Sequence, residues 1–413
     1  MQIWCGIDWA ERHHDVALVD DTGKRVAKLR IADDAAGFGR LLELLAKHGA
    51  GPDTGVPVAM ETARGLLAAA LVAAGYRLYP INPMAVARYR DRYSVSRAKS
   101  DTGDAFVLAN ILRTDLQAHR PLPADSDLAK AVRVLARAQQ DAVWDRQQIA
   151  NKLRSLLREY FPAALAAFAE LASPLAIEVL QLAPTPAAAA KLTHARVATA
   201  LRRAGRKRGI DTAAATIRTA LRAEQLHQPC RIETAMGEHA AALLRALATA
   251  VNNVARLEQA LADAFTEHPD AEVITSMPGL GPILGARLLG EIGDDRDRFI
   301  DARGLKSFAG TAPVTRASGT KTAVTARIVR NKRLGQVGYL WALSLLTASP
   351  GARAHYDRRR SRGDNYSAAA RNLANRYLGI LHHCLQTGQT YDPTKAFPHA
   401  TPTHAEPTER VAA

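Results

Sequence analysis

Cysteines, long apolar runs and a leader pattern are scarce or missing in this 413-residue chain. The three cysteines, Cys5, Cys230 and Cys384, are odd in number and far apart, which excludes a disulfide framework and a cysteine-based zinc site. The longest apolar stretches, residues 66–74 and 339–346, are far shorter than the roughly 18–20 residues of a membrane span. No basic segment followed by an apolar core opens the chain, so we expect no signal peptide. These absences predict a reduced cytoplasmic protein.

Acidic residues are nearly absent from one part of a basic chain. The formal net charge is +15. Between Arg316 and Arg362, eleven Lys and Arg residues stand against a single acid, Asp357, and residues 202–208 add five cations without an acid. These two segments account for the whole excess, so the remainder of the chain is neutral. Two basic patches on a neutral body predict a polyanion as partner and no membrane.

Residues 1–115 are predicted to form an α/β domain. The apolar patterns favour strands at 3–9, 15–20, 25–31, 57–62 and 77–81, with helices after the third, fourth and fifth of them. Three consecutive antiparallel strands, followed by strands that alternate with helices, are typical of a ribonuclease-H-like mixed sheet. The order excludes the pure alternation of a doubly wound fold.

The rest of the chain is predicted to be mainly helical. After Pro121 and Pro123, residues 125–270 contain two long helices whose 3-4 apolar spacing predicts a central coiled coil, within one chain or between chains, with ordinary bundle packing as the alternative. Between them, residues 162–234 form a helical insertion that carries the second basic patch. Residues 271–392 form a C-terminal domain, and we expect the Pro- and Thr-rich tail 393–413 to be disordered.

Four acids are candidates for chemistry. Asp8 lies near the end of an apolar strand and Glu61 at the end of another, where carboxylates are disfavoured unless a function uses them. Asp101 and Asp104 are three residues apart at the start of a predicted helix, although each alone also suits a helix cap or a first-turn acid. Together the four oxygen donors could hold two hard cations about 3.5–4 Å apart and clamp a phosphodiester.

The motifs around these acids resemble those of a known family. Residues 5–10 (CGIDWA), 60–62 (MET) and 99–105 (KSDTGDA) are similar in kind, order and spacing to the three motifs of the DEDD transposases, the Piv-like insertion-sequence recombinases of the IS-one-ten group. The resemblance covers nearly the whole chain apart from the tail and part of the insertion. It implies a Holliday-junction-resolvase-like nuclease domain in a bacterial, nucleoid-associated enzyme, with two Mg²⁺ ions held by Asp8, Glu61, Asp101 and Asp104.

Ser318 is the candidate nucleophile. It lies in a stretch of small residues between Arg316 and Lys321, and a serine attacks a phosphodiester only where its proton is removed and the phosphate charge is neutralised. A Ser-Gly pair alone usually marks a turn. The family resemblance implies that Ser318 forms a covalent 5′-phosphoserine link to DNA, with Ser307 and Thr315 as the alternative hydroxyls.

Several residues are candidates for nucleic-acid contacts. Residues 276–282 (SMPGLGP) resemble a helix-hairpin-helix turn whose glycines admit a phosphate, although a loop between packed helices is an equal alternative. Arginine in the two basic patches suits bidentate phosphate contacts. The predicted contact residues are Arg316, Lys321, Arg327, Arg330, Lys332, Arg333, Arg202, Arg203, Arg206, Lys207, Arg208, Gly279 and Gly281.

The function predicted from these features is site-specific DNA recombination by a transposase. The resemblance further implies guidance by a structured bridge RNA, and we expect a homodimer or homotetramer assembled through the long helices, with the active site composed within one protomer or across two. The alternatives are a metal-dependent junction-resolving endonuclease without a covalent intermediate and a non-catalytic nucleic-acid binder. An actin-like ATPase would need a second phosphate loop, which the sequence lacks.

Overall fold

The computed structural model describes residues 2–62, 64–93 and 101–397, except for the side chains of residues 92, 93, 101 and 102. The chain divides into two compact units, Met1–Ala124 and Asp125–Ala413. The boundary follows the predicted proline-marked segment. The regions 125–270 and 271–392, predicted as separate domains, belong to one unit because the ends of its two long helices share a core with the C-terminal helices.

A five-stranded mixed sheet forms the centre of the first unit. Its strands are β1 (Trp4–Trp9), β2 (His13–Val19), β3 (Arg25–Ala32), β4 (Pro57–Met60) and β5 (Arg77–Pro80), in the order β3-β2-β1-β4-β5. The pairs β1–β2 and β2–β3 are antiparallel, whereas β1–β4 and β4–β5 are parallel. The predicted mixed sheet is therefore confirmed, and its strand order is compatible with a ribonuclease-H-like domain.

Helices cover both faces of this sheet. They are α1 (Ala35–Lys47), α2 (Leu66–Ala73), α3 (Pro83–Tyr93) and α4 (Asp101–Asp115). Leu41 of α1 and Leu71 of α2 are buried with Ile7 on one face, whereas Leu108 of α4 is buried with Ala59 on the other. Because side chains alternate along each strand, the residues of β1 that share the face of Gly6 point toward α4.

Two long helices, α5 (Asp127–Tyr160) and α11 (Cys230–Thr266), run through the second unit and pack against each other. The hydroxyl of Ser126 caps α5 by accepting a bond from the amide of Ala129 at 3.1 Å. Gln139, a polar position of the predicted seam, donates to the carboxylate of Glu258 at 2.9 Å. The two helices thus pair within one chain, and coiled-coil packing between them stays a prediction.

Short helices fill the predicted insertion between α5 and α11. They are α6 (Pro162–Ala167), α7 (Pro174–Leu182), α8 (Pro186–Ala190), α9 (His194–Arg203) and α10 (Ile210–Leu221). The hydroxyls of Ser173, Thr185 and Thr193 accept bonds from amides in the first turns of α7, α8 and α9, so local capping sets where these helices begin. The insertion shares its apolar core with the C-terminal part of α5 and the N-terminal half of α11.

The C-terminal part is helical except for one hairpin. Its elements are α12 (Ala271–Thr275), α13 (Pro282–Ile292), α14 (Ala302–Ala309), β6 (Val314–Ser318), β7 (Lys321–Thr325), α15 (Lys332–Ala348), α16 (Pro350–Ser361), α17 (Tyr366–Thr387) and α18 (Pro393–Ala396). Trp341 is fully buried against Tyr377, with ring centroids 5.5 Å apart. These helices form a support from which the hairpin extends.

The predicted start of the tail is wrong. Asp392 caps α18 by accepting a bond from the amide of Thr394 at 2.9 Å, and Ala396 is buried. The guanidinium of Arg376 lies 4.6 Å from the centroid of the Phe397 ring. Ordered structure therefore continues through residue 397, and the remaining tail residues lie outside the described part of the chain.

A buried ion pair links α5, α13 and α15. Glu291 accepts two bonds from Arg137, at 2.7 and 2.9 Å, and a third from Asn331 at 2.7 Å. Burial alone would raise the pKa of Glu291, but these hydrogen bonds outweigh it and the pKa is lowered. Asn331 also caps α15, the helix that follows the hairpin, through its bond from the amide of Leu334.

Replacing Glu291 by Gln is expected to cost about 2–3 kcal/mol of unfolding free energy, because Arg137 then lacks its counter-charge. The lowered pKa means that the stabilisation is complete above the unfolded-state pKa of Glu291 and is lost as the pH falls through the folded-state value. Urea unfolding measured from neutral to acid pH should therefore show a difference in unfolding free energy between the wild type and Glu291→Gln that becomes smaller as the pH falls. A difference of constant size would contradict this assignment.

Candidate active site

Two of the predicted acids lie at the carboxyl ends of two neighbouring parallel strands. Ile7 of β1 lies beside Met60 of β4 in the parallel pair, and Asp8 and Glu61 are the next residues. Both acids are half-buried. Because parallel strands in register carry matched side chains on one face, the pairing brings Asp8 and Glu61 side by side.

A glycine controls how closely α4 approaches these acids. A Cβ on Gly6 would lie 2.0 Å from the carbonyl oxygen of Ala105 and 2.5 Å from the amide nitrogen of Ala109. Any side chain at this position would push α4 away from the strand. Asp8 lies two residues further along β1 and faces the same side, so Gly6 brings Asp8 close to the first turn of α4.

Asp104 lies in that first turn and is held by an arginine. It is only 3% exposed, and it accepts a bond of 2.5 Å from Nη2 of Arg90 on α3. The guanidinium compensates the buried carboxylate, which would otherwise be costly in this setting. The backbone of Asp101 begins α4, and its side chain lies outside the described part of the chain.

A fifth carboxylate stands beside the predicted four. Asp15 of β2 is the cross-strand neighbour of Asp8 and is 5% exposed. It accepts two bonds from Arg30, at 3.2 and 2.8 Å. Arg30 therefore neutralises Asp15, whereas two like charges directly opposite each other would destabilise the sheet.

The donor chemistry at this edge suits a hard cation. Asp8, Glu61 and Asp104 offer carboxylate oxygens, the ligands that Mg²⁺ prefers. Among the described side chains, no three His, Cys, Asp or Glu residues lie close enough together to hold one ion. The described acids therefore share one side of the sheet without forming a closed three-ligand cage.

Ser318 stands at the tip of an exposed hairpin, where the sequence suggested only a loop of small residues. Strands β6 and β7 pair antiparallel, with Ser318 opposite Lys321 as the last pair before the turn Gly319-Thr320. Gly319 has a φ of +57°, which glycine adopts without strain. Apart from Val314, every residue of both strands is exposed. The hydroxyl of Ser318 thus lies on the surface, with Arg316 two residues before it on the same face of β6.

Comparison with known proteins finds matching families both for the domain with the acids and for the part of the chain with the hairpin. A DEDD-type transposase model named for IS110 matches residues 5–162, which include the four acids. A second model, described as transposase of the IS116/IS110/IS902 family, matches residues 271–357, which include Ser318. A mini-circle protein of the element IS117 from Streptomyces coelicolor is 58% identical over 96% of this chain and 97% of its own length. The chain belongs to the IS110/IS116 family of transposases.

Other relatives of this transposase come from further insertion elements. A 42 kDa protein of insertion element IS900 from Mycobacterium paratuberculosis is 33% identical over 95% of this chain and 97% of its own. A 44.8 kDa protein of insertion element IS116 from Streptomyces clavuligerus is 30% identical over 95% and 96%. The family implies an enzyme that acts on DNA in transposition. Within the described part of the chain, no helix is long and apolar enough to cross a membrane.

The residues of the transposase predicted to contact nucleic acid fall into two groups: some side chains are engaged in contacts within the protein, and others are exposed. Arg333 donates to Asp141 at 2.7 and 3.0 Å, and its guanidinium lies 5.0 Å from the ring centroid of Trp144. Arg330 packs its stem against Gly310, and Arg327 is half-buried. The exposed predicted cations are Arg316, Lys321, Arg330, Lys332, Arg202, Arg203, Arg206, Lys207 and Arg208.

The glycine turn of the transposase has a packing role. Gly279 has a φ of +76°, and a Cβ there would lie 2.9 Å from the Cβ of Ser344 on α15. The carbonyl of Pro278 accepts a bond from the indole of Trp341 at 2.9 Å. Gly281 has open space around it and precedes α13. The close contact with α15 therefore explains why position 279 is a glycine, whereas Gly281 has room for a ligand.

Sequence reasoning missed three residues that shape the acidic edge: Gly6, Arg90 and Arg30. Gly6 stands inside the CGID motif, and a glycine within a strand is a recognised signal of close backbone approach. No pattern along the chain pairs Arg90 with Asp104 or Arg30 with Asp15, because both pairs join residues on separate elements.

Proposed function

We propose that this transposase is a site-specific DNA recombinase with a metal-bound acid cluster and a serine nucleophile. Asp8, Glu61, Asp101 and Asp104 would hold Mg²⁺, with two ions per site, at the scissile phosphate. The observation that supports the proposal most is the register of β1 and β4, in which Asp8 and Glu61 directly follow the paired residues Ile7 and Met60.

The four carboxylates suit Mg²⁺ because they supply hard oxygen donors only. When bound, the ion lowers the negative charge of the phosphate and stabilises the departing oxygen. The chain's own residues prepare that site. Gly6 lets α4 approach β1, and Arg90 orients the buried carboxylate of Asp104 through its bond of 2.5 Å.

Ser318 is proposed to carry out the covalent step. Its Oγ loses a proton and bonds to phosphorus, while the bond from phosphorus to the 3′ oxygen breaks and that oxygen leaves as a hydroxyl. The product is a 5′-phosphoserine, which a 3′-hydroxyl of the exchange partner attacks to restore the phosphodiester and free Ser318. Exposure at the hairpin tip supports this role, and Arg316 supplies positive charge for the phosphate.

The partners proposed are DNA at the element ends and target, a structured guide RNA, and further copies of the chain in a homodimer or homotetramer. Nine exposed cations in two separate segments support binding of more than one nucleic-acid strand. Guidance by RNA rests on the family resemblance of the motifs.

One observation favours a second candidate, a metal-dependent junction endonuclease without a covalent intermediate. Ser318 occupies the closing position of a two-residue turn, where a small polar residue needs no chemical reason. In this candidate the acid cluster alone cleaves DNA through activated water.

A recombination assay in cells tests the proposed function. A plasmid carrying the element ends and a target should recombine when the protein and the element's flanking non-coding DNA are supplied together. Removal of the flanking DNA should abolish recombination, and RNA transcribed from it should restore activity and co-purify with the protein. Recombination that is equally efficient without that RNA would contradict guidance, and cleavage without joining would favour the endonuclease.

Replacing Arg316 and Lys321 by Ala is expected to weaken DNA binding because the protein loses contacts to two DNA phosphates. The slope of log affinity against log salt should become shallower by about two, because two phosphates are no longer neutralised. Fluorescence anisotropy from low to high salt measures this slope. The matched control removes Arg25 and Lys28, an exposed pair of the same composition on β3, and should keep the wild-type slope. Equal slopes in both double variants would contradict the assignment.

A further inference from the structure

A cavity of about 640 Å³ opens in the helical insertion, between α10 and the segment that joins α6 to α7. Its apolar lining includes Phe168, Leu175 and Ile217, of which Phe168 is 7% exposed. Glu170, Thr216 and Arg206 add polar groups to the same lining. The volume lies within the range of small-ligand sites, and an apolar floor with a few polar groups is their usual composition.

A strongly basic loop adjoins this cavity. Residues 204–209 join α9 to α10, and Gly205 and Gly209 have φ values of +87° and +58° that let the loop turn sharply. The Nε of Arg206 donates to the carbonyl of Arg208 at 3.0 Å, which folds the loop onto itself and brings Arg206 to the cavity. Flat, aromatic ligands stack well on a guanidinium plane.

The charges of this loop are available to a ligand. Arg206, Lys207 and Arg208 of the loop and Arg202 and Arg203 at the end of α9 make five cations, and all are exposed. Among the described residues, Arg203 alone of the five has an ion-pair partner, Glu178, at 3.8 Å. Such a surface attracts phosphates, whereas the carboxylate of Glu170 in the cavity lining repels them, so phosphates favour the loop over the cavity.

We infer that the cavity seats the base of an unpaired nucleotide, with the flanking phosphates of its strand on the basic loop. The apolar floor suits the faces of a base, and Glu170 can accept hydrogen bonds from its amino or imino groups. A duplex, whose bases are stacked and paired, cannot fill the cavity. The inference rests on the proposed function only in requiring that the protein binds nucleic acid.

Filling the cavity is the direct test. Thr216 is exposed at the cavity wall on α10, and Thr216→Trp would occupy the space without disturbing the core. Thr219, exposed on the same helix and outside the lining, provides the matched control Thr219→Trp. The ligands are labelled ten-nucleotide strands of uridine, adenosine, thymidine and deoxyadenosine, with an abasic strand of equal charge. Anisotropy with the full chain measures each dissociation constant.

Wild-type protein and Thr219→Trp should bind at least one base-bearing strand about ten-fold more tightly than the abasic strand, and Thr216→Trp should lose that difference. The comparison of ribose with deoxyribose strands identifies whether RNA or DNA supplies the nucleotide. Two results would overturn the inference: equal binding of base-bearing and abasic strands by the wild type, or an unchanged preference in Thr216→Trp.

Photo-crosslinking gives a second readout that does not depend on affinity. A strand containing 4-thiouridine or 4-thiothymidine should attach to peptides that contain Phe168 or residues 206–217, and attachment elsewhere only would overturn the inference. DNA cleavage by the same preparations separates the two proposals. Cleavage failure with intact base-dependent binding refutes the recombinase alone, and the reverse pattern refutes the cavity alone.

Discussion

Replacing Ser318 by Ala should abolish DNA strand cleavage and leave the fold unchanged. Without Oγ the proposed nucleophile is missing, so the rate of cleavage should fall about a thousand-fold or more. Ser318 is exposed and touches no core, so the stability cost should stay within about 0.5 kcal/mol. Single-turnover cleavage of an element-end DNA, followed on a denaturing gel, measures the loss.

The control for this variant is Thr320→Ala. Thr320 lies two residues away in the same turn, is equally exposed and also carries a hydroxyl. It should keep cleavage within a few-fold of wild type. Undiminished cleavage by Ser318→Ala would refute the serine mechanism and favour the endonuclease. Loss in Ser307→Ala or Thr315→Ala, with Ser318→Ala active, would move the nucleophile to one of those hydroxyls.

Replacing Asp8 by Asn should also abolish cleavage, by a different route. The amide keeps the size of the side chain, but it exchanges one acceptor oxygen for an NH2 donor and removes the negative charge that would bind Mg²⁺. We expect at least a thousand-fold loss of cleavage together with weaker Mg²⁺ binding, while DNA binding in the absence of metal is retained or slightly improved. Calorimetric titration with Mg²⁺ and gel-shift assays in chelator measure these properties separately.

Asp15→Asn is the matched control because Asp15 is the same residue type, directly opposite Asp8 on the same face of the sheet. Its carboxylate is already paired with Arg30, which is largely exposed. The variant should lose about 1–3 kcal/mol of stability, because the buried Asp15 gives up part of its bonding to Arg30, and keep cleavage within a few-fold. Equal loss of cleavage in both variants would show that the whole acidic edge matters through its charge, and that Asp8 has no special role.

The sequence predicts the first unit well because its signals are local. The strands predicted at 15–20, 25–31 and 57–62 each match an observed strand to within two residues at either end, and the turn residues between the first two occur where expected. The Asp20 side chain accepts bonds from the amides of Thr22 and Lys24, which is the usual chemistry of such a turn. The parallel pairing of β1 with β4 then gives Asp8 and Glu61 corresponding positions at the strand ends.

The β6–β7 hairpin was missed for a physical reason. Its strands are rich in β-branched residues, such as Val314, Thr322 and Val324, around a glycine turn, but neither face is buried, so no apolar alternation marks them. The small residues around Ser318 therefore resembled a loop. Contacts between distant elements, such as Arg90 with Asp104 or Arg333 with Asp141, also leave no trace in local pattern.

The central claim is that Ser318 becomes covalently attached to DNA, and mass spectrometry of the trapped complex tests it most directly. Cleavage of an element-end DNA is stopped with detergent, protein and DNA are digested, and the peptide that carries the remaining nucleotide is sequenced. We predict a phosphodiester between Ser318 Oγ and the 5′ end of the cleaved strand. Cleaved DNA without any attached peptide, or attachment at another residue, would contradict the account.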